Sequence, residues 1–342
     1  MRLDSTPFRW GVIGPGNIAR RFAGAFKGVP GAQLHSIYGR SPQRAQAFAA
    51  EFGGRIATDL AAFLADPLLD GVYIATPHAQ HGEYVRAALE AGKPVLCEKP
   101  LVPTLAQAKP LIELARARGV FLMEALWTRF LPAYDVMAGW LREGRLGTLR
   151  GMQSNFSFPG DPDALETRLW NPLLAGGALL DIGIYNLAVT RWVLEQAYGE
   201  CPALEDLHAQ GRLAPTGVDA GVSVTMRFKG GFVSQFRCGF DAVSACSAEI
   251  FGTGAAIRMP DWFHMAERVE LLRRNVEPER VHAPHAVNGF EGEILEAQTC
   301  IRAGLVESPR MPHRESLALL ECMDAIRAPD RGALPLRVKH AV

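Results

Sequence analysis

The sequence predicts an α/β protein in which a doubly wound parallel sheet is followed by an α+β domain with a large, mostly antiparallel open sheet. Three observations lead to this prediction. The 342 residues exceed what one ordinary hydrophobic core holds. Short apolar strand patterns alternate with helical patterns through residues 1–125. Hairpin-like strand patterns joined by glycine turns dominate residues 126–342. We therefore expect two domains, one over 1–125 and one over 126–342.

Composition narrows the classes of function. Lys plus Arg and Asp plus Glu number 36 each, so the chain is neutral. It therefore lacks the excess positive charge that would favour a nucleic-acid partner. The six cysteines form no CxxC pair, which argues against a disulfide framework or zinc site and favours reduced thiols in a cytoplasm. We see no signal peptide and no run near the roughly 20 apolar residues that a membrane helix needs.

A glycine-rich turn follows the first strand, Phe8–Ile13. It reads Gly14-Pro15-Gly16-Asn17-Ile18-Ala19, a G-x-G-x-x-A pattern that opens a helix. Gly14 permits a tight turn, and Gly16 lets a pyrophosphate approach the backbone at the positive end of the helix. The pattern alone is weak, but a strand-to-helix junction is the context that supports it. We expect dinucleotide contacts from Gly14, Gly16, Asn17 and Ile18.

The alternation continues through five more strands, with helices between them. Ser41 and Pro42 resemble an N-cap and first helical residue, Asp59 a second cap, and Thr104 with Gln107 a capping box. Repeated strand–helix–strand units of this length imply a parallel sheet with right-handed crossovers. Ligands of such sheets bind at the carboxyl ends of the strands.

The end of the second strand bears on the choice of cofactor. An NAD site usually has Asp or Glu there for the ribose 2′-hydroxyl, whereas Arg favours a 2′-phosphate. This strand is followed by Gly39, Arg40 and Ser41, without an acid. Arg40 can pair with phosphate through two hydrogen bonds, and Ser41 could add another. We therefore predict NADP, with NAD as the alternative. A solvated arginine and a simple helix cap would give the same pattern.

Polar residues also follow the fourth and fifth main strands, in Thr76-Pro77-His78-Ala79-Gln80-His81 and in Glu98-Lys99-Pro100. Both segments should lie near a nicotinamide ring. His78 and His81 could hold a metal, but no third ligand appears at metal spacing, so we predict none. The cofactor-binding residues expected here are Thr76, Pro77, His81, Glu98 and Lys99.

The stretch Gly176–Tyr185 opens a long helical pattern in the middle of the chain. Asp181 and Tyr185 are four residues apart, so a helix places them on one face. A carboxylate and a phenol in an otherwise apolar run indicate a site. The alternative is a core helix whose two polar side chains are satisfied by neighbours.

These motifs, in this order, resemble the Gfo/Idh/MocA oxidoreductase family over nearly the whole chain. The specific parts are Glu98-Lys99-Pro100 and Gly176–Tyr185, since many folds share the glycine turn. Met123–Phe130 and Tyr185 are similar to the branch of dimeric dihydrodiol dehydrogenases and NADP-dependent D-xylose dehydrogenases. The resemblance implies a dinucleotide-binding Rossmann domain over 1–125, with cofactor contacts from Trp127 and Arg129. It also implies a substrate-binding and dimerisation domain over 126–342, in a homodimer whose second subunit covers the open sheet.

Two positions depart from the general family pattern. Most members carry His where this chain has Tyr185, so polyol dehydrogenase assignments based on that His do not transfer. The usual Gly-Gly-Gly is Ala175-Gly176-Gly177, which alters the turn entering the helix but removes no functional group.

Substrate contacts are expected from the second domain and from the segment that enters it. Trp170 and Arg168 fall on the loop Asp161–Leu174, and Trp127 falls on a loop that should face the cleft. Strand aromatics such as Phe156 and Phe158 suit either core and dimer-face packing or a substrate wall. The residues predicted to contact substrate are Trp127, Phe158, Arg168, Trp170 and Tyr185.

The expected chemistry is oxidation of an alcohol by a nicotinamide cofactor, which needs a base for the hydroxyl proton. Tyr185 is the candidate acid/base, although the pKa of a free tyrosine is about 10. The family resemblance brings Lys99 to this helix, where an ammonium group would lower that pKa. Lys99 would also hydrogen-bond the substrate oxygen, and Asp181 could orient the lysine or a sugar hydroxyl. Lys99, Asp181 and Tyr185 are therefore the predicted catalytic residues.

Three functions remain open at this point. The first is an NADP-dependent dehydrogenase of a cyclic diol or an aldopyranose. The second is an enzyme that holds its nucleotide tightly for glycoside hydrolysis or sugar–sugar redox chemistry. The third is a non-catalytic sensor of nucleotide or sugar, which the presence of Lys99, Asp181 and Tyr185 argues against.

Overall fold

The computed structural model describes residues 7–328, which form two compact units. The first unit comprises the chain up to Phe130 together with Ala286–Ala318, and the second comprises Leu131–His285 together with the chain from Leu319. The sequence-based division at residue 125 assigned the whole of 126–342 to one domain. In the structure, Ala286–Ala318 packs with the first unit instead. The binding roles assigned to the two domains stay predictions.

The first unit contains a six-stranded parallel sheet in the order β3-β2-β1-β4-β5-β6. This order reverses direction between β1 and β4, which creates the crevice where such sheets bind ligands. The predicted doubly wound sheet is confirmed. Its strands are β1 Phe8–Ile13, β2 Ala32–Tyr38, β3 Arg55–Ile56, β4 Gly71–Ile74, β5 Val95–Glu98 and β6 Leu122–Ala125.

Several helices of the first unit begin at the caps that the sequence predicts. Ser41, Asp59 and Thr104 each accept a hydrogen bond from a backbone N–H three residues later. These contacts satisfy donors that a helix start leaves without partners. The helices are α1 Asn17–Gly24, α2 Pro42–Phe52, α3 Leu60–Leu64, α4 His81–Glu90, α5 Leu105–Arg118 and, from the returning segment, α8 Glu291–Arg302.

The second unit contains an eight-stranded sheet in the order β14-β13-β12-β11-β7-β10-β9-β8. Only the β7–β10 pair is parallel among these neighbours, so the predicted, mostly antiparallel sheet is confirmed. The edge strands β8 and β14 are absent from the sequence-based reading. The strands are β7 Leu149–Ser157, β8 Leu204–Leu213, β9 Asp219–Phe228, β10 Val233–Gly239, β11 Ala248–Gly252, β12 Ala256–Met259, β13 Arg268–Arg273 and β14 Val276–His282.

The two faces of this sheet differ in polarity. Along β9, Val222, Val224 and Met226 are buried, whereas Ser223 and Arg227 point to the other face and are exposed. Period-two alternation of this kind is typical of a sheet with one face on a core and one open to water.

The remaining helices are α6 Pro132–Arg142, α7 Ile184–Tyr198 and α9 His313–Arg327, which runs across the boundary between the two units.

The stretch Gly176–Tyr185 begins its helix in a wider form than an α-helix. Leu179–Gly183 forms a π-helical turn that leads directly into α7. Such turns are rare and are frequent at functional sites. Asp181 lies inside the π turn, and Tyr185 lies in the first turn of α7.

Pro172–Tyr198 corrects the expectation that no segment is long and apolar enough to cross a membrane. Its 27 residues reach a mean hydropathy of 1.5 in the most apolar window. However, 78% of that window is buried inside the protein, as in the core helix of a globular domain. Within residues 7–328 it is the one segment that meets the length and composition test.

Candidate active site

A cavity of about 360 Å³ lies in the first unit at the carboxyl ends of β1, β2 and β4. This is the position where the strand order reverses, as expected for a nucleotide site. The glycine turn, the end of β2 and the Thr76-Pro77 segment all contribute to its wall. The lining residues are Ile13, Gly14, Pro15, Gly16, Gly39, Arg40, Ser41, Arg44, Ala75, Thr76, Pro77, Gln80 and Tyr84.

The glycine turn leaves room for a phosphate group. Gly14 has a φ of 87°, and a Cβ there would lie 2.9 Å from the backbone of Ala75. A Cβ on Gly16 would meet nothing nearer than 4.0 Å, so that glycine borders open space. Gly16 is also the N-cap of α1, and no side chain caps this helix start. The N–H groups of the first turn can therefore bind an anion, as the dinucleotide prediction requires.

Thr76 adds a polar atom that fits a ligand at the same wall. Its hydroxyl oxygen is buried and has no hydrogen-bond partner among the described residues. Buried polar atoms are normally paired, so an orphan at a cavity wall suits a group that binds there. The residues present thus fit a dinucleotide at this site.

Basic side chains border the part of the cavity next to β2. Arg40 and Arg44 are both exposed, and Ser41 caps α2 by accepting a hydrogen bond from the Arg44 backbone N–H at 3.4 Å. The sequence-based reading named Arg40 and Ser41 but missed Arg44. The signal was available, because Arg44 lies one helical turn after Arg40 on a helix whose cap was predicted.

Glu98 is the last residue of β5, and its carboxylate is buried. It accepts hydrogen bonds from the Tyr73 hydroxyl and, at 3.3 Å, from the backbone N–H of Lys99. Glu98 therefore fixes the backbone at Lys99 from inside the sheet, and its side chain is only 6% exposed. Its predicted contact with cofactor stays a prediction.

Behind Glu98 lies a second buried acid, Glu293 of α8. Both carboxylate oxygens of Glu293 lack hydrogen-bond partners among the described residues. Burial, and next the charge of Glu98, raise the pKa of Glu293 well above its usual range. The same two causes raise the pKa of Tyr73. A protonated Glu293 avoids placing two negative charges together in the core.

His81 connects the two strand-end segments. Its Nδ1 lies 2.9 Å from the Pro100 carbonyl oxygen, and its Nε2 lies 2.8 Å from the Thr76 carbonyl oxygen. The ring is fully buried, and burial lowers the pKa of His81. His81 thus clamps the segments that carry Thr76 and Lys99. Among residues 7–328, no three His, Cys, Asp or Glu side chains are grouped as a metal site requires.

Trp127 and Arg129 are more buried than a cleft position implies. Trp127 is 3% exposed and stacks on Phe290 with ring centroids 5.0 Å apart. The Arg21 guanidinium lies 5.1 Å from the centroids of both rings. Arg129 is 4% exposed, and its guanidinium lies 3.7 Å from the Glu315 carboxylate. Their predicted contacts with cofactor and substrate stay predictions.

In the second unit, Asp181 is paired with an arginine from the preceding loop. The Arg168 guanidinium lies 2.8 Å from the Asp181 carboxylate. The carboxylate side chain is only 7% exposed, whereas that of Arg168 is 57% exposed. Two residues that the sequence-based reading assigned to the site are therefore adjacent, and the loop arginine partly covers the acid.

Tyr185 belongs to a cluster of aromatic rings. The centroid of its ring lies 5.9 Å from that of Phe156 and 5.1 Å from that of His264. His264 in turn stacks on Phe156, with centroids 4.2 Å apart and an interplanar angle of 21°. His264 is 8% exposed. The sequence-based prediction missed it, because the one-turn 3₁₀ helix Phe263–Met265 after β12 carries no motif.

The loop that carries Arg168 is held to the sheet by a tryptophan. Trp170 is 5% exposed, donates a 2.7 Å hydrogen bond to the Asp161 carbonyl oxygen and packs edge-on against Phe240. Phe158, which is partly exposed, also packs against Phe240, with ring centroids 5.1 Å apart. Trp170 therefore shapes the loop, and the predicted substrate contacts of Trp170 and Phe158 stay predictions.

Both units match models of known protein domains. Residues 8–126 match the "Oxidoreductase family, NAD-binding Rossmann fold" model of GFO_IDH_MocA proteins. Residues 134–258 match the "GFO/IDH/MocA C-terminal domain" model. The boundary between the two matches lies close to the boundary of the first compact unit at Phe130.

Curated relatives cover nearly the whole chain. The chain is 35% identical over 328 residues to the trans-1,2-dihydrobenzene-1,2-diol dehydrogenase of Mus musculus, covering 93% of this chain and 96% of that protein. It is 32% identical over 327 residues to the enzyme of the same name from Homo sapiens, covering 93% of this chain and 96% of that protein.

Solved structures share the fold. The 3-ketoreductase KijD10 from Actinomadura kijaniata, in complex with NADP and TDP-benzene, superposes with a TM-score of 0.83 at 30% identity, covering 94% of this chain and 97% of that one. An aldose-aldose oxidoreductase from Caulobacter crescentus superposes with a TM-score of 0.82, covering 95% of this chain and 97% of that one. Because the two sequences are only 22% identical, this similarity supports the fold alone.

Proposed function

Because the chain belongs to the Gfo/Idh/MocA oxidoreductase family, and is thus an NAD(P)-dependent dehydrogenase, we propose that it oxidises a ring hydroxyl of a cyclic diol or an aldopyranose with NADP. We assign the acid/base role to Tyr185 and supporting roles to Lys99 and Asp181. The observation that carries the proposal is the placement of Tyr185 in an aromatic cluster, one helical turn after a buried and ion-paired Asp181.

The preference for NADP is supported by the basic rim of the nucleotide cavity. Arg40, Ser41 and Arg44 border the end of β2, where the adenosine ribose binds in folds of this type. Two guanidinium groups can hold a phosphate with charge-assisted hydrogen bonds. Among the residues that line the cavity there is no carboxylate to accept a ribose 2′-hydroxyl.

The bound nicotinamide would accept the hydride from the carbinol carbon. The side chains of this protein would handle the proton and the position of the substrate. We propose that Tyr185 removes the hydroxyl proton through its phenolic oxygen, and that the Lys99 ammonium group donates a hydrogen bond to the same substrate oxygen. Lys99 lies in the first unit and Tyr185 in the second, so their joint role rests on the family resemblance.

The proposed substrate class follows from the chemistry around Tyr185. Phe156 and His264 give the cluster flat, weakly polar faces that suit an unsaturated ring or the apolar face of a pyranose. Arg168 and Asp181 supply polar groups that can bind ring hydroxyls. The similar proteins include a trans-1,2-dihydrobenzene-1,2-diol dehydrogenase, in line with the cyclic diol, and a 3-ketoreductase solved with NADP and TDP-benzene.

The direct test is a substrate panel. The protein is mixed with NADP⁺ and, separately, with NAD⁺, in the presence of trans-dihydrobenzenediol, D-xylose or D-glucose, while the absorbance band of reduced nicotinamide is followed. We expect turnover with at least one diol or aldose and a higher kcat/KM with NADP⁺. Tight nucleotide binding without any change in absorbance would contradict the proposal and favour an enzyme that retains its nucleotide or a sensor.

We also propose that the protein is a homodimer through the outer face of the eight-stranded sheet. That face carries a broad concavity of about 800 Å³, lined by side chains from six of the strands. In a monomer this polar lining would face water, as one face of an antiparallel sheet commonly does. The mass in solution distinguishes the cases. A dimer that the double substitution Gln153→Lys and Gln235→Lys converts to monomer supports the proposal, and a wild-type monomer contradicts it.

A cytoplasmic location is proposed on the state of the thiols. All six cysteines lie among residues 7–328, and none of them is joined to another in a disulfide there. Five of them are buried, which suits a reducing compartment where structural disulfides are rare.

A further inference from the structure

The helix that carries Asp181 and Tyr185 lacks a local cap. Its first residues, Ala178 and Leu179, follow Gly177, and no side chain of the N-cap residue accepts a hydrogen bond there. A helix start leaves several N–H groups that need acceptors. The acceptor comes instead from Asp219 at the start of β9, because the Leu179 N–H donates to Asp219 Oδ2 at 2.6 Å.

Gly177 makes this long-range cap sterically possible. Its φ of +117° is a conformation that residues with a side chain rarely adopt. A Cβ at this position would collide with Asp219 Oδ1. A side chain at position 177 would therefore displace the Asp219 carboxylate from the helix start. This contact explains why the Ala175-Gly176-Gly177 motif needs a glycine at that position.

Burial and a nearby positive charge act on the Asp219 carboxyl in opposite directions. The residue is 2% exposed, and burial, its largest influence, raises its pKa to about 7. The Leu179 and Ala178 backbone N–H groups, the N–H of Asp219 itself and the positive charge of Arg327 from α9 oppose that rise. Arg327 also contacts the Asp324 carboxylate on the same helix at 2.6 Å. From β10 the facing titratable group is the Cys238 thiol, whose pKa is raised by burial and next by Asp219.

We infer that Asp219 is a positioning residue for the proposed catalytic helix, fixing the π turn and thereby the places of Asp181 and Tyr185. The inference rests on the proposed function for its effect on turnover. An ionised carboxylate accepts stronger hydrogen bonds than a neutral one and interacts favourably with the positive end of the helix. Ionisation of Asp219 therefore holds the helix start more firmly, and protonation loosens it.

The test compares Asp219→Asn, Asp219→Ala and a matched control, Asp261→Asn, whose carboxylate is 56% exposed and pairs with Arg268. We expect Asp219→Ala to lower kcat by about 10-fold, the scale of losing a helix cap. Asp219→Asn retains a hydrogen-bond acceptor, so at low pH its kcat should be close to that of the wild type. We expect the kcat of the wild type to rise near pH 7 as Asp219 ionises, and the kcat of Asp219→Asn to lack this rise. The control should match the wild type, and the Kd for NADP should change less than about 2-fold in every variant.

A second readout does not depend on turnover. A carboxyl whose folded pKa of about 7 exceeds the reference value of 3.8 binds more protons in the folded state between these pH values. The ionised carboxylate binds the helix start more strongly, but the cost of burying its charge is larger, so the contribution of Asp219 to stability is lost as pH rises through that window. The midpoint of thermal unfolding should fall less steeply from about pH 4 to 7 in Asp219→Asn than in the wild type.

Two results would overturn the inference. They are wild-type kcat in Asp219→Ala, and coincident pH profiles of kcat for Asp219→Asn and the wild type. Failure of the proposed function looks different. If Tyr185→Phe keeps full activity while the Asp219 variants still change the pH dependence of stability, the acid/base assignment is wrong and the cap stands.

Discussion

The nucleotide cavity of the first unit and the Tyr185 cluster of the second unit differ in the parts of the chain that form them. The cavity is mostly backbone and small residues, with Gly14, Gly16 and the uncapped start of α1 within a few positions of one another. The Tyr185 cluster is formed by side chains from distant segments, including Phe156 and His264.

This difference decides how each region responds to substitution. A backbone cradle tolerates changes in the surrounding core but not an added side chain. A side-chain cluster depends on each group and on the elements that hold it. Variants of the first region should therefore alter nucleotide affinity, and variants of the second should alter turnover or folding. Substitutions in each region test that separation.

Tyr185→Phe should lower kcat by about 100-fold to 10,000-fold, because it removes the phenolic oxygen to which we assign the proton transfer. Lys99→Met should lower kcat by about 100-fold or more for loss of the supporting ammonium group. The Kd for NADP, measured by protein fluorescence, should hold in Tyr185→Phe. Tyr198→Phe is the matched control, since Tyr198 ends the same helix and is 51% exposed. Near-wild-type turnover in Tyr185→Phe would refute the assignment.

Gly177→Ala should lower the free energy of unfolding by roughly 3 kcal/mol, from backbone strain and a collision with Asp219. Gly53→Ala is the control for strain alone, because Gly53 has a φ of +77° with nothing within 4 Å of its Cβ position. It should cost about 1–2 kcal/mol. Urea unfolding measures both, and equal losses would show that the contact with Asp219 is unimportant.

Arg40→Ala and Arg44→Ala should each weaken NADP binding by roughly 10- to 100-fold, the scale of a hydrogen bond to a charged group. NAD binding should be nearly unchanged, because NAD lacks the 2′-phosphate. Arg86→Ala removes a surface arginine that lies 4.0 Å from Glu90 and serves as the control. Calorimetric titration with both nucleotides gives the ratio of their Kd values. An equal loss of affinity for NAD and NADP would contradict the proposed specificity.

Gly16→Ala should produce the smallest change in stability, within about 1 kcal/mol, because its Cβ would enter open space. Nucleotide affinity should still fall by about 10-fold or more, since that space is where we expect the pyrophosphate to approach the backbone. Thermal unfolding without nucleotide and Kd measurement separate the two effects. Unchanged affinity would show that the phosphate binds elsewhere.

The sequence predicted the first sheet, its glycine turn and three helix caps because each depends on neighbours in the chain. Strand-to-helix turns and N-caps are set by backbone conformation and by hydrogen bonds over three residues. The sequence also placed Asp181 and Tyr185 on one helix, since that spacing is local. It missed the edge strands β8 and β14, whose exposed, polar side chains give a weak strand pattern.

Tertiary structure alone decided which distant residues complete each region. The return of Ala286–Ala318 to the first unit brings Glu293 behind Glu98 and Phe290 onto Trp127. In the second unit, His264 reaches Tyr185, and Asp219 supplies the cap that the helix sequence lacks. Contacts of this kind arise when packed elements bury their side chains together, and their partners lie tens to hundreds of residues apart in the chain. Local sequence therefore specifies the nucleotide turn, whereas the packing of the sheet and helices specifies the surroundings of Tyr185.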